Sequence, residues 1–425
     1  MQQNVALAPP MGWNSWDCYG ASVTEEEVKA NAEYMAKHLR AYGWEYVVVD
    51  IQWYEPGASG SRYRPFASLE MDEYSRLIPA VNRFPSAAGG KGFQPLADYV
   101  HELGLKFGIH MMRGIPRQAV HFNTPILGTD KRAREIAHPN SICPWNTDMY
   151  GVDPNQPGAQ EYYDSVFQLY ASWGVDYVKV DDIAREYYAG EIELIRRAID
   201  RCGRPMVLSL SPGPAPLSQA EHLKQHANMW RISDDVWDTW EDIYAMFERC
   251  RAWSEHAGPG HWPDADMLPL GHIGIRSSER GAGDRWTRLA KDEQITMMTL
   301  WCIFRSPLML GCELRDLDDW TLSLITNREV LRLLGHSHAN RQLFRRDPQI
   351  AWTAADEDGS HYLAVFNTGP TKTEVLVELN QMGLFGPHNA RDLWSHEELG
   401  TAVKAVSLPV PPHGARLLRL AKAQT

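Results

Sequence analysis

The sequence DYVKVD, residues 176–181, decides the fold, because it is a short apolar and β-branched run that ends in an acid. Such a run is typical of a buried parallel strand in an α/β barrel, which presents its functional side chains at the carboxyl ends of its strands. A second run of this kind, MWRISDD at residues 229–235, also ends in acid. The two runs therefore predict a barrel in which Asp181 and Asp235 face the same end.

The pattern continues on both sides of these runs, with short apolar stretches alternating with helical patterns from residue 10 to about residue 312. Thr24, with Glu27 three residues later, predicts the cap of the first helix. Two long stretches rich in Gly, Pro, Asn and Arg, residues 57–92 and 114–150, are predicted to be loops over the active face. Eight positions fit strands of a closed (β/α)8 TIM barrel: residues 11–13, 46–50, 106–110, 177–181, 206–210, 229–233, 261–267 and 307–311.

After about residue 335 the pattern changes to alternating strands, which predicts an antiparallel β-sandwich. The predicted strands are residues 350–354, 361–367, 374–378, 390–394, 403–408 and 415–420. At 425 residues the chain is also too long for one ordinary core. We therefore expect a catalytic barrel over residues 1–335 and a C-terminal antiparallel sandwich over residues 336–425.

The amino-acid composition limits the kinds of molecule that the protein is expected to bind. The formal charge of -12 disfavours nucleic acid and anionic membranes, whereas sixteen Trp and seventeen Tyr supply flat side chains that can stack on sugars. The amino terminus has no export pattern, no later run approaches a membrane span, and the six cysteines are scattered without a Cys-x-x-Cys pair. We expect a cytoplasmic protein with buried thiols and a glycoside or oligosaccharide substrate. Whether the chain forms a homo-oligomer is left open.

Two carboxylates on different strand ends, each near a cation (Lys179, Arg231), suit a retaining glycosidase, which needs an ionised nucleophile and a proton donor. Either aspartate alone could instead cap a helix or pair structurally with its neighbouring cation. A further acidic pair, Asp264 and Asp266, could hold a divalent metal, although metal-spaced histidines are missing nearby. Phosphate-loop, dinucleotide and serine-hydrolase motifs are also absent from the sequence.

Five motifs occur in one order: MGWNSW at residues 11–16, KVD at 179–181, Trp230-Arg231 with Asp235, GPG at 258–260 leading to DADM at 264–267, and SPLM at 306–309. In this order they resemble glycoside hydrolase family 27, which contains α-galactosidases, α-N-acetylgalactosaminidases and some β-L-arabinopyranosidases. The resemblance covers nearly the whole chain and implies the same barrel and sandwich.

The resemblance implies that Asp181 is the nucleophile and Asp235 the acid/base, without a metal or organic cofactor. Lys179 and Arg231 are expected to keep Asp181 ionised at neutral pH, while Asp235 is protonated when the leaving group departs. It further implies that the sugar pocket is lined by Trp16, Asp50, Lys179, Arg231 and Asp266. Further candidate substrate-binding residues are Ile51, Trp53, His110, Cys143 and Ser211.

Several positions depart from the family pattern. Ile183 stands where a disulfide-bonded cysteine is usual, so Cys143 is expected to be free. His110 stands where a tyrosine is usual, and the role of His110 can be functional or structural. The loop at residues 209–214 lacks the usual acid and aromatic residue. Ile51 replaces the second of two adjacent acids, the one that contacts the sugar near its C6 hydroxymethyl group.

These observations favour a retaining exo-glycosidase for terminal galactose-configured sugars that prefers β-L-arabinopyranosides, which lack the C6 group. The alternatives are an α-D-galactosidase or α-N-acetylgalactosaminidase, a non-catalytic carbohydrate-binding protein, and a metal-dependent sugar enzyme that uses Asp264 and Asp266.

Overall fold

A ring of eight parallel strands forms the first part of the molecule in the computed structural model, which describes residues 5–423. The edge strands are joined where Leu268 bridges to Leu310 in parallel and its N–H donates to the Met309 carbonyl at 2.8 Å. The predicted (β/α)8 barrel is therefore confirmed. Its strands β1–β8 are Met11–Asn14, Tyr46–Val49, Lys106–Met112, Tyr177–Asp181, Val207–Leu210, Met229–Arg231, Trp262–Asp264 and Leu308–Leu310.

The two faces of each strand explain why these runs are apolar throughout. In β2, Val47 and Val49 pack in the large core that the strands share with the helices. Tyr46 and Val48 point the other way, into a smaller cluster that includes Tyr177 of β4. Because successive side chains alternate between faces, a strand buried on both sides needs apolar residues at every position.

Helices connect the barrel strands. Helix α2 begins at the predicted cap: Thr24 and Glu27 form a reciprocal capping box. Across residues 5–423, no helix combines the length and apolar character needed to cross a bilayer. Helices α1–α12 are Trp16–Tyr19, Glu25–His38, Gln94–Glu102, Arg117–Phe122, Ala133–Ile136, Ala159–Ser172, Ala189–Arg201, Ala220–His226, Trp240–Trp253, Lys291–Phe304, Asp319–Ile325 and Arg328–His336.

The long segment 114–150, predicted to be a loop, contains secondary structure of its own. It carries α4 and α5 and contributes to a three-stranded antiparallel sheet of Ile115–Pro116, Met149–Val152 and Ala137–Ile142. The longest of these strands, AHPNSI, is mostly exposed and polar, so it lacks the alternation of apolar residues by which a strand is predicted. A two-stranded hairpin, His272–Ile273 with Arg285–Trp286, also lies outside the barrel ring.

The C-terminal part is the expected antiparallel sandwich. A six-stranded sheet has the order β9-β10-β11-β16-β13-β14 and packs through an apolar layer on the hairpin β12-β15. Two of these strands, β9 and β14, were not predicted because SHANRQLFRR and ELGTA are largely polar or exposed. Strands β9–β16 are Ser337–Arg346, Gln349–Asp356, His361–Asn367, Thr373–Glu378, His388–Asp392, Glu398–Ala402, Ala405–Val410 and Ala415–Lys422.

One face of the sandwich packs on the barrel. Phe366 meets Phe247 of α9 edge to face at 5.0 Å between ring centroids, and His413 stacks on Trp240 at 3.9 Å. The large core runs without interruption from the barrel into this face. The two parts are therefore joined by apolar burial rather than by a flexible linker.

A buried ion pair adds to this junction. Arg332 of α12 donates from Nε and Nη2 to the two oxygens of Asp356 in β10, at 2.9 and 2.8 Å, and the Tyr362 hydroxyl donates to Oδ2 at 2.5 Å. Burial disfavours the charge on Asp356, but these donors outweigh burial and hold its pKa well below the usual range.

We expect Asp356→Asn to lower the free energy of unfolding by about 1–3 kcal/mol, because the charge-assisted hydrogen bonds of a buried carboxylate are lost. A depressed folded-state pKa contributes stability that is complete above the unfolded-state pKa of about 3.9 and is lost as the pH falls through the folded-state pKa. Denaturant unfolding should therefore show the full difference at pH 7 and a shrinking one in strong acid. Glu357→Gln is the matched control, since its side chain is 60% exposed and its pair with His336 should contribute little. Equal effects of the two variants would contradict the assignment.

Candidate functional site

A cavity of about 310 Å³ opens at the carboxyl ends of the barrel strands. It brings together side chains that follow seven different strands, from β1 to β7. Most of the predicted site residues line it: Trp16, Asp50, Ile51, Lys179, Asp181, Ser211, Arg231, Asp235 and Asp266. Trp53, His110 and Cys143 do not.

Asp181, the last residue of β4, has a hydrogen-bond donor at each oxygen. His110 Nε2 lies 3.1 Å from Oδ2, and the Asp182 N–H donates to Oδ1 at 3.0 Å. Burial disfavours ionisation, but the His110 hydrogen bond and the charge of Lys179 outweigh it, and the pKa of Asp181 is held well below its usual range. Asp181 is thus a carboxylate facing the cavity, as a nucleophile must be.

Lys179, two residues earlier on the same face of β4, donates to Asp50 Oδ2 at 2.9 Å rather than directly to Asp181. Asn14 donates to the same oxygen at 2.7 Å. Burial opposes the charge on Asp50, yet Lys179 prevails and the pKa of Asp50 is lowered. Strands β1, β2 and β4 are therefore tied together under the cavity by one charged network.

Arg231 ends β6 and bridges two acids. Its Nη2 lies 3.2 Å from Asp235 Oδ1, and its Nη1 lies 2.8 Å from Asp266 Oδ1. The sequence suggested that Arg231 would help to keep Asp181 ionised, but its guanidinium contacts these two acids instead. The Asp235 side chain is 55% exposed, whereas Asp181 is only 15% exposed, so Asp235 lies on the solvent side of the cavity.

Asp266 adopts a left-handed backbone conformation with φ of 83°, which is uncommon outside glycine. Its Oδ2 accepts the Val236 N–H at 2.7 Å, and its N–H donates to Asp264 Oδ1 at 2.9 Å. Burial raises the pKa of Asp266 despite Arg231, and the neighbouring Asp235 adds to the effect. Asp266 thereby fixes the turn that carries Asp235.

The same contacts argue against a metal at Asp264 and Asp266. Both oxygens of Asp266 already accept hydrogen bonds from protein donors, and Arg231 places a positive charge where a cation would bind. Among residues 5–423, the groups with three potential metal ligands in mutual reach do not include this pair.

An aromatic wall flanks the acids. Trp16 stacks with Tyr63 at 6.1 Å between ring centroids, and Tyr63 lies 5.8 Å from Trp145. All three line the cavity, and Ile51, only 1% exposed, adds an apolar surface beside Asp50. Tyr63 and Trp145 were missed by sequence reasoning, although both belong to the long segments predicted to cover the active face.

Of the three predicted site residues that do not line the cavity, Trp53 and His110 are fully buried. Trp53 is fully buried in an aromatic cluster with Phe93 and Trp173, and its indole N–H donates to the His110 carbonyl at 2.8 Å. The structure thus places Trp53 in the core and His110 directly against the Asp181 carboxylate. His110 is fully buried, and its ring contacts that carboxylate.

Cys143 is a buried free thiol, as are Cys18, Cys250, Cys302 and Cys312, while Cys202 is a partly exposed one. Burial raises the pKa of Cys143 to about 12, so it is not a thiolate. Ile183, at the position expected for a partner cysteine, is fully buried. The predicted free Cys143 is confirmed.

Three cavity groups have unsatisfied polar atoms among the described residues: Ser211 Oγ, Asp17 Oδ2 and Arg231 Nε. Asp17 was not predicted, because an acid following Trp16 carries no motif. Its carboxyl packs on Gly311, where an added Cβ would lie 2.1 Å from Oδ2. Burial, with the charges of Asp266 and Asp235, raises the pKa of Asp17 well above its usual range. Burial and the neighbouring acids therefore favour the protonated form of Asp17.

Comparisons with known proteins agree with this geometry. The family model for alpha galactosidase A matches residues 148–334, and that for the alpha galactosidase C-terminal β-sandwich matches residues 346–420. A crystal structure of a β-L-arabinopyranosidase of glycoside hydrolase family 27 from Geobacillus stearothermophilus, in complex with arabinose, is 64% identical with a TM-score of 0.98, covering 99% of this chain and 98% of that one.

Two further relatives are similar over their whole length. A candidate α-N-acetylgalactosaminidase from Bacillus halodurans is 58% identical with a TM-score of 0.91, covering 100% of this chain and 99% of that one. The α-galactosidase 2 of Arabidopsis thaliana is 26% identical over 99% of this chain and 91% of its own.

Proposed function

Because the chain belongs to glycoside hydrolase family 27 and is a glycosidase, we propose that it is a retaining exo-enzyme that releases terminal galactose-configured sugars and prefers β-L-arabinopyranosides. The observation that carries the sugar preference is the apolar Ile51 on the cavity wall beside Asp50. The β-L-arabinopyranosidase from Geobacillus stearothermophilus, 64% identical, supports this preference.

In the first step, the ionised Asp181 attacks the anomeric carbon while Asp235 gives its proton to the departing glycosidic oxygen. A covalent bond forms between the sugar and Asp181 as the bond to the leaving group breaks. His110 and the Asp182 N–H orient the attacking carboxylate through the hydrogen bonds described above. No metal or organic cofactor takes part in the proposed reaction.

In the second step, Asp235 takes a proton from water, and the resulting hydroxide displaces Asp181 and frees the sugar with its original configuration. The exposure of Asp235 supports this role, because both the leaving group and the incoming water need the open side of the cavity. Arg231, 3.2 Å away, holds the Asp235 carboxylate in place between the two steps.

Retention can be measured directly. Proton NMR at early times should show the first-formed sugar with the anomeric configuration of the substrate, before mutarotation mixes the anomers. The reason is that two displacements at the same carbon restore the starting configuration. A first-formed sugar of opposite configuration would exclude a covalent intermediate on Asp181.

The two carboxylates should respond differently to leaving-group quality. Asp181→Asn should lose almost all activity on every glycoside, because the nucleophile is gone. Asp235→Ala should retain more activity on nitrophenyl glycosides than on alkyl glycosides, since a good leaving group needs little proton donation. The kcat/KM values of wild type and variants on both substrate classes measure this difference. Equal losses of the Asp235 variant on both classes would reject its role, and sugar binding without turnover by the wild type would favour a non-catalytic protein.

The proposed sugar preference depends on whether the C6 hydroxyl of the sugar has a hydrogen-bond partner. A galactoside buries its C6 hydroxyl against the cavity wall, and Ile51 offers that hydroxyl no hydrogen-bond partner. A buried polar group left unpaired costs about 1–3 kcal/mol, which corresponds to roughly one to two orders of magnitude in specificity. β-L-Arabinopyranose has the same ring configuration without the C6 group, so it avoids this cost.

We therefore expect kcat/KM for nitrophenyl β-L-arabinopyranoside to exceed that for nitrophenyl α-D-galactoside by about 10–100-fold. Ile51→Asp should shift the ratio of the two kcat/KM values toward the galactoside, because the new carboxylate can accept a hydrogen bond from the C6 hydroxyl. Ile51→Val is the matched control, since it changes size but stays apolar and should keep the wild-type preference. A wild-type preference for the galactoside would instead identify an α-D-galactosidase, and one for the N-acetylated sugar an α-N-acetylgalactosaminidase.

The unpaired cysteines bear on the cellular compartment of the enzyme. Six unpaired cysteines, including Cys143 at a position where the family usually has a disulfide, suit a reducing compartment. We therefore place the enzyme in the cytoplasm as part of the proposed function.

A further inference from the structure

Two helices of the outer barrel ring carry a cluster of potential metal ligands. Glu193 lies on α7, and His222 and His226 lie one turn apart on α8. One ligand atom from each residue lies within 4.8 Å of the others, a combination found at this place alone among residues 5–423. None of the three lines the cavity that holds Asp181 and Asp235.

The spacing within the cluster suits a small tetrahedral ion. His222 Nε2 and Glu193 Oε1 are 3.3 Å apart. Two ligands bound to Zn²⁺ at about 2.0–2.1 Å with tetrahedral angles are separated by about 3.3 Å. The two imidazole rings are stacked with centroids 4.1 Å apart and an angle of 27° between their planes. Because an imidazole nitrogen binds a metal in the plane of its ring, one ring must rotate for both to bind the same ion, while the His222–Glu193 spacing already suits it.

The other ring nitrogens are already held, as is usual for metal-binding histidines. His226 Nδ1 donates to the His222 carbonyl at 2.8 Å, which leaves Nε2 as the nitrogen with a free lone pair when the ring is neutral. His222 Nδ1 lies 2.7 Å from the Tyr187 hydroxyl. These contacts leave the Nε2 atom of each ring available for a metal ion, with His222 Nε2 beside the carboxylate.

The cluster is open to solvent. The side chains of His222 and Glu193 are 20% and 41% exposed, so an ion can enter and retain a water ligand. Two imidazoles and one carboxylate favour Zn²⁺ or Ni²⁺ over Mg²⁺ and Ca²⁺, which prefer oxygen ligands alone.

We propose that Glu193, His222 and His226 bind one Zn²⁺ ion, with water completing a tetrahedral shell, and that the ion ties α7 to α8. These helices follow β4 and β5, so the ion cross-links two consecutive β/α units. Its role is to stabilise the fold, because an ion that binds only the folded state shifts the unfolding equilibrium by mass action.

Isothermal titration of the full-length protein with zinc chloride should show one ion per chain, and thermal unfolding with excess zinc should shift upward by about 1–3 °C. His226→Ala and Glu193→Gln should weaken zinc binding by at least about tenfold and remove the thermal shift. Tyr187→Phe should weaken binding less than either of these changes and leave part of the thermal shift, because Tyr187 only contacts the other ring nitrogen of His222. Magnesium chloride should produce no binding at this site.

His336→Ala is the matched control. His336 also pairs with a glutamate on the surface, at 2.6 Å, but among residues 5–423 it belongs to no group of three potential metal ligands, so zinc binding should be unchanged. Circular dichroism of each variant without zinc checks that the fold is retained. Absence of zinc binding by the wild type, or binding that survives both His226→Ala and Glu193→Gln, would overturn the proposal and leave a hydrogen-bonded surface cluster.

Discussion

The ion pair between Lys179 and Asp50 sets the electrostatic state of the cavity. A single buried charge would cost of the order of several kcal/mol, so each partner needs the other at the 2.9 Å separation observed. The charge of Lys179 also reaches Asp181 and, with His110, keeps that carboxylate ionised despite its burial. Asp17 shares the cavity without a paired cation, and its pKa is raised. Lys179 and His110 thus favour the charged form of Asp181, whereas burial and the neighbouring acids favour the protonated form of Asp17.

The barrel was predictable because burial on both faces forces a strand to be apolar at every position, and such runs stand out between helical patterns. The predictions were weaker wherever a strand is exposed. β9, β14 and the short sheet around Ala137–Ile142 are polar, and their pairing depends on backbone hydrogen bonds to neighbouring strands rather than on any side-chain period. Backbone hydrogen bonds between strands leave no hydrophobic pattern in the sequence, so these strands could not be predicted from it.

The candidate site was predictable to the extent that it lies at strand ends. Asp181 and Arg231 end β4 and β6, and motif order identified them, but contact partners depend on how strands far apart in sequence are set against each other. For this reason the sequence paired the charge of Arg231 with Asp181, whereas Arg231 pairs with Asp266. For the same reason Trp53 was predicted to line the cavity, although it points into the core. Asp17 was missed since its burial arises from Gly311, almost 300 residues away.

Closure of the strand ring has a consequence for folding. The residues that line the cavity extend from Trp16 to Glu279, and the ring is completed only when Leu268 meets the last barrel strand. Long loops must be ordered before these contacts form, which makes such a topology slow to fold and open to partly folded intermediates. An intermediate lacking the final strand would retain much helical structure yet have no intact wall around the sugar. Recovery of catalysis during refolding is therefore a stricter measure of completion than recovery of secondary structure.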